Sequence, residues 1–218
     1  MNERKYKAVL FDLDGTLTDS MYDIARASNR ALTSLGLAPL ERDEYKTKVG
    51  WGLKETIKRA LPEDASDSLV EEGFRLLGDF YKENPTEETI VYEGIPETLE
   101  ALSQKGLELF VYTNKAEPLA VRIVETLFGA GRFSRIWGAV DHRPMKPHRE
   151  GIRSVVAESG YSSEEILYIG DSEVDMETAL AGDLDALAVL WGYRTEEQLK
   201  SYSRTGTVVT PGEILNFV

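Results

Sequence analysis

Two carboxylates stand two residues apart in the stretch LFDLDGTLTDS (10–20), at Asp12 and Asp14, directly after the apolar run AVLF. A lone carboxylate at the end of a buried run costs several kcal/mol unless a cation or hydrogen bonds hold it. Two together repel, and a divalent metal resolves that repulsion. Side chains two apart on an extended segment point the same way, so Asp12 and Asp14 can face one site. There one carboxylate can attack a phosphorus atom and become an aspartyl-phosphate. The other can protonate the leaving oxygen and later deprotonate a water. Gly15 lets the chain turn away tightly. A calcium loop is the first rival, since oxygen-bearing residues recur at Asp12, Asp14, Thr16, Thr18, Ser20 and Asp23. Such a loop requires Gly and Glu where this chain has Leu17 and Asp23. Helix capping by Asp19 or Ser20 is the second rival, and it leaves Asp12 unexplained.

Further groups suited to phosphoryl chemistry follow other apolar runs. After LELFVY (107–112) come Thr113 and Asn114, a hydroxyl and an amide able to hold phosphate oxygens, although Thr-Asn is also ordinary turn chemistry. After RIWGAV comes DHRPMKPH, whose Lys146 could neutralise both a nucleophile and a phosphate if its loop lies beside the site. After ILYIG comes GDSEVD, where Asp171 follows a buried run as abruptly as Asp12 does. Asp175, four residues on, can reach the same rim, on a metal or through a water. Hard oxygen ligands of this kind suit Mg2+. Zinc is disfavoured, because the chain has no Cys and only two His, His142 and His148. His142 reads as solvent-exposed and His148 as a bystander near Lys146.

The elements that would position these groups alternate. Near-continuous apolar runs at 8–11, 107–112, 135–140, 166–170, 186–190 and 207–210 read as strands covered on both faces. Helical patterns lie between them, clearest at 95–106, with Pro96 at the start and Gly106 at the end, and at 116–129. This predicts an α/β fold, a doubly wound, Rossmann-like parallel sheet. Residues 20–84 break the rhythm with three helical patterns and no strand, and KENPTEE (82–88) reads as a return linker. The expected division is a core of 1–18 and 85–218 with an α-helical cap inserted at 19–84.

The chain has 218 residues, 42% of them hydrophobic, which suffices for one large domain with an insert. A net charge of −13 argues against non-specific nucleic-acid binding. It does not exclude an anionic small substrate, since local cations can override the global field. No apolar run is long enough for a membrane span, and Asp12 cuts the first one too short for a secretion signal. With no cysteine for disulfides or thiolate sites, a cytoplasmic enzyme is expected, as a monomer or homodimer.

DLDGTLTDS, YTN, the Lys of MKPH and GDSEVD together resemble, in order, the four motifs of the haloacid dehalogenase superfamily. VGWGLKET (49–56) resembles the substrate loop of its phosphoglycolate phosphatase-like branch, and WGYRTEEQL (191–199) is similar to that branch as well. The resemblance spans nearly the whole chain. It implies that Asp12 is the nucleophile, Asp14 the acid/base, Thr113 and Lys146 a phosphate clamp, and Asp171 a Mg2+ ligand. It also implies that Asp14 meets the metal through its main-chain carbonyl and that the insert is the family's helical cap. Arg149 stands where many relatives carry a second proline after Lys-Pro, a departure in the features that mark subfamily and substrate. The expected activity is a Mg2+-dependent phosphatase acting on a small phosphorylated metabolite, 2-phosphoglycolate foremost, with Lys54 and Trp51 as candidate substrate contacts. A phosphosugar mutase would use the same residues. A phospho-acceptor signalling domain is the non-enzymatic alternative, but such domains place their acidic pair on the first strand and their acceptor on a later one.

Overall fold

The structure is a computed structural model that describes residues 5–202 and 204–218; the basic start of the chain, 1–4, lies outside them. The chain divides into two compact units, Met1–Thr18 with Val91–Val218, and Asp19–Ile90.

The first unit is built on a six-stranded sheet. Its strands are β1 (Ala8–Phe11), β4 (Glu108–Ala116), β5 (Arg135–Ala139), β6 (Ile166–Gly170), β7 (Asp185–Val189) and β8 (Gly206–Val208). They lie in the order β5-β4-β1-β6-β7-β8, and every pairing is parallel. Two-residue strands β2 (Thr18–Asp19) and β3 (Ile90–Val91) mark where the chain leaves and re-enters this unit. Both faces of the sheet are covered, and this is why its strands read as unbroken apolar runs. On one face Ala8, Leu10, Phe110, Tyr112, Tyr168 and Ala186 form a cluster with Ile152 and Val155 of α6 (Arg149–Ser159) and Met176 and Ala179 of α7 (Glu173–Ala181). The alternate residues Val9, Phe11, Leu109, Val111, Leu167, Ile169 and Leu187 are buried too. The helices α4 (Ile95–Gln104) and α5 (Glu117–Phe128) pack against β4. Pro96 and Pro118 open them, where a missing N–H costs nothing.

The second unit is helical, with α1 (Met21–Ser34), α2 (Leu53–Ala60), α3 (Asp67–Glu83) and a 3-10 turn at Arg42–Thr47. α3 packs on both α1 and α2. The return crossing falls after Ile90, six residues later than the expected 84/85 boundary. The reason lies in Asp23 of α1, whose carboxylate is fully buried. It accepts hydrogen bonds from Glu88 N, Thr89 N and Thr89 Oγ1 at 3.0, 2.8 and 2.6 Å, fastening that segment to the helices.

Candidate active site

Chain order reverses at β1. The chain runs from it to β4 and β5 on one side, then returns to β6 and β7 on the other. Open α/β sheets bind ligands at the carboxyl ends of the strands where the order reverses. Asp12 follows β1 there, Thr113–Lys115 end β4, Lys146 lies in the loop after β5, and Asp171 follows β6.

Lys146 joins the parts of this site. Its side chain is 2% exposed, and Nζ donates to Asp12 Oδ1 at 2.6 Å, Asp175 Oδ1 at 2.7 Å and Tyr168 OH at 3.2 Å. Asp175 also accepts from Ser172 Oγ at 2.6 Å and Ser172 N at 3.1 Å, a capping box that opens α7. Burial alone would lower the Lys146 pKa, but the Asp12 and Asp175 carboxylates outweigh it and hold the pKa well above the usual lysine value. Asp12 moves the other way. Burial first, and then the Asp175 charge, raise its pKa to about 7 against the opposing pull of Lys146.

The end of β4 is irregular. Its register to β5 shifts between Tyr112 and Ala116, and this irregularity re-aims three consecutive side chains. The Thr113 hydroxyl accepts from Lys115 N at 3.2 Å, which leaves its own proton to donate. Asn114 grips the main chain of Lys146, with Nδ2 donating to Lys146 O at 3.0 Å and Oδ1 accepting from Lys146 N at 2.8 Å. The Asn114 amide thus anchors the lysine loop, and the expected contact of Asn114 with phosphate oxygens would fall to the second Nδ2 proton or to its main chain. Lys115, buried with its side chain 2% exposed, donates to Asp14 Oδ1 at 2.7 Å. Asp12 and Asp14 thus rise from one loop toward different cations. Gly15 completes the turn with φ of 92°, a left-handed value that glycine adopts without strain.

Asp171, 2% exposed, accepts from Tyr193 N at 2.7 Å. Burial, and then the charges of Asp175 and Asp12, raise its pKa well above the carboxylate range. Asp12, Asp171 and Asp175 each bring an oxygen within 4.8 Å of the others.

A family described as "Haloacid dehalogenase-like hydrolase" matches residues 9–189, the span from β1 through β7 that carries every one of these groups. The chain belongs to the haloacid dehalogenase-like hydrolases. Among this family's curated members, a phosphoglycolate phosphatase of Chromobacterium violaceum is 36% identical over 197 residues, covering 88% of this chain and 89% of the relative. One from Aquifex aeolicus is 37% identical and covers 86% of each chain. A crystal structure from Lactobacillus delbrueckii subsp. bulgaricus matches with a TM-score of 0.91 at 28% identity, over 96% of this chain and 97% of that one.

For a haloacid dehalogenase-like hydrolase the carboxylate cluster poses the question of a metal. Three buried acids cluster here, only Asp12 and Asp175 of them pair with Lys146, and Asp12 and Asp171 are pushed up in pKa by burial and acidic neighbours. All the donors are oxygens, so the set fits a hard divalent cation, which would return Asp12 and Asp171 to their ionised forms. The Asp171 carboxylate accepts one hydrogen bond, from Tyr193 N, and the Asp12 carboxylate one, from Lys146 Nζ. Asp175 is occupied by Lys146, Tyr168 and Ser172, an anchor first and a ligand second.

Elsewhere, Lys54 is exposed on α2 and ion-paired with Glu71 within the helical unit. His142 is exposed, as expected, and His148 caps α6 by accepting from Glu150 N at 3.2 Å. Asp19 accepts from Met21 N at 3.1 Å at the start of α1, whereas Ser20 makes no side-chain cap. Sequence reasoning missed Lys115 and Tyr168. Lys115 could have been suspected from its place beside Thr113 and Asn114, but Tyr168 looks like any strand residue. Among the described residues no helix is long and apolar enough to cross a membrane.

Proposed function

We propose that this hydrolase is a Mg2+-dependent phosphatase of small phosphomonoesters, with 2-phosphoglycolate as the substrate. The observation that carries the reading is the 2.6 Å contact of Lys146 Nζ with Asp12 Oδ1 at the switch point of the sheet, beside the buried Asp171. Asp12 attacks phosphorus and holds the phosphoryl group as an acyl-phosphate. Lys146 favours the ionised form of Asp12 and neutralises charge on the transferring group, while Thr113 donates its hydroxyl proton to a phosphate oxygen. Asp14 hands a proton to the leaving oxygen and then takes one from the water that releases phosphate. Asp12, Asp171 and the main-chain carbonyl of Asp14 would hold the Mg2+, with Asp175 meeting it through water. When bound, the ion supplies charge neutralisation of the phosphate and the nucleophile. The choice of 2-phosphoglycolate is supported by the names of the curated relatives and their near full-length match. The helical unit is read as a mobile cap that excludes water during transfer and admits one afterwards, with Lys54 contacting the leaving group.

Turnover of a panel of phosphorylated metabolites with Mg2+, read as inorganic phosphate released and ranked by kcat/KM, tests this reading. The expected result is stoichiometric phosphate release with 2-phosphoglycolate ranked first. An isomerised sugar phosphate without phosphate release would establish a mutase instead. A phosphorylated protein that does not turn over would establish a signalling domain.

A further inference from the structure

The segment Trp191–Arg194 follows β7 and is fastened at both ends. Trp191 Nε1 donates to Thr16 O at 2.9 Å, in the turn that carries Gly15. Arg194, only 5% exposed, forms a two-pronged pair with Glu173 at the start of α7, Nε to Oε2 at 2.8 Å and Nη2 to Oε1 at 3.1 Å. Between these anchors the chain closes on Asp171. Tyr193 N donates to Oδ2. A Cβ at Gly192 would lie 2.3 Å from Asp171 Cβ, 2.5 Å from its Oδ2 and 2.4 Å from Gly15 O. A Cβ at Gly15 would lie 2.4 Å from the same Oδ2. The carboxylate is thus clasped between two glycines and one amide, while Oδ1 accepts no hydrogen bond among the described residues.

Closing a loop after β7 requires none of this. A buried arginine costs desolvation, and its guanidinium pairs with Glu173, two residues beyond Asp171. Mg2+ demands near-ideal octahedral geometry, so a ligand held in one orientation binds it better than one that must be ordered first. We propose that Trp191–Arg194 is a positioning strap that sets the orientation of Asp171, and through it the affinity of the site for its divalent cation. The proposal rests on the metal-dependent reading above. Gly192, Tyr193 and Arg194 act through Asp171, as positioning residues.

The test is Gly192→Ala in the full-length protein, stripped of metal and titrated with Mg2+ by calorimetry, with thermal melting of the metal-free form in parallel. Gly192 is not among the positive-φ glycines, so the added methyl acts by steric contact, against the Asp171 side chain and against Gly15 O. Pushing a metal ligand out of the orientation that its outer contacts hold weakens metal binding by about 10–100-fold. That loss is the expected result, and the accompanying fall in turnover should be rescued substantially by raising Mg2+. An unchanged Mg2+ Kd with a lower melting temperature would overturn the proposal in favour of a structural joint. Should Gly192→Ala fail to fold, Arg194→Lys keeps the charge and removes the fork. A Mg2+ Kd weakened about threefold or more is expected for it, and an unchanged Kd would overturn the proposal. If the wild-type protein itself binds no Mg2+ and turns over without it, the metal-dependent reading fails at its root, an outcome distinct from any difference between variants.

Discussion

Lys115 Nζ lies 2.7 Å from Asp14 Oδ1, so the group assigned to proton transfer is held by a buried ammonium from the neighbouring strand. The contact fixes where the Asp14 carboxylate sits. Lys115→Met should lower kcat by about 10–100-fold, within the range that a positioned acid/base supplies. Because the proposed effect runs through Asp14, Lys115→Met combined with Asp14→Asn should be little worse than Asp14→Asn alone. A double-mutant cycle on kcat measures this. Losses that multiply would show Lys115 acting on the phosphate instead.

Asp12→Asn should abolish turnover, because an amide cannot form an acyl-phosphate. It should also raise the melting temperature of the metal-free protein at pH 8, since it removes a carboxylate whose burial and acidic neighbours oppose ionisation. With the proposed Mg2+ site, the wild type should melt higher when the ion is added, and that rise should shrink in this variant. Melting curves with and without Mg2+ check both statements. Activity retained at a tenth of wild type would remove Asp12 from the nucleophilic role.

The pH dependence follows with a definite sign. In the metal-free protein Asp12 has its pKa raised to about 7, above the ordinary carboxylate value of 3.8. The folded state therefore holds a proton that the unfolded state has released. This contribution to stability is fully present below about pH 4, declines as pH rises toward 7, and is gone above that. Mg2+ must displace the same proton, so its apparent affinity should rise by up to about tenfold per unit as pH climbs to 7, then level off. Calorimetric titrations at pH 6, 7 and 8 in buffers of different ionisation enthalpy would show the proton release. An affinity independent of pH over this range would mean that Asp12 is already ionised without the metal.

Asp23 is buried in the helical unit and receives four donors, Arg26 Nη2 at 2.6 Å together with Glu88 N, Thr89 N and Thr89 Oγ1. Asp23→Ala would strand the two main-chain N–H groups and the Thr89 hydroxyl, while Arg26 keeps Glu87 and Glu88. A loss of about 3 kcal/mol is expected from breaking such a buried charged network. The melting temperature should fall by at least about 5 °C. Asp23→Asn, which keeps an acceptor, should cost less than Asp23→Ala, and equal losses would argue that the contact is not a charge-assisted one.

Lys54 and Glu71 are both more than half exposed, and an ion pair in that setting adds little to stability. Lys54→Ala should therefore leave the melting temperature nearly unchanged. If Lys54 contacts the leaving group, kcat/KM for 2-phosphoglycolate should fall by about 10-fold, the scale of a lost charge-assisted hydrogen bond. A small generic phosphate ester should suffer less. Equal losses on both substrates would place Lys54 in lid closure instead.

The sheet was legible in the sequence because a strand covered on both faces has to be apolar throughout, as AVLF and ILYIG are. Asp12 and Asp171 were legible for the converse reason, since an acid at the end of such a run has no cheap explanation except a site. Lys146 and Thr113 were legible from their places after strands. Where side chains turn at a strand's end is a different matter. Local sequence does not determine it, because the register shift at the end of β4 depends on β5. Only the tertiary structure decided that Asn114 grips the Lys146 main chain, that Lys115 reaches Asp14, and that Tyr168 and Asp175 share one ammonium. It alone showed Gly15 and Gly192, 177 positions apart in sequence, closing on one carboxylate. These are contacts between segments brought together by the crossovers of a parallel sheet, and no periodicity within a segment encodes its partner.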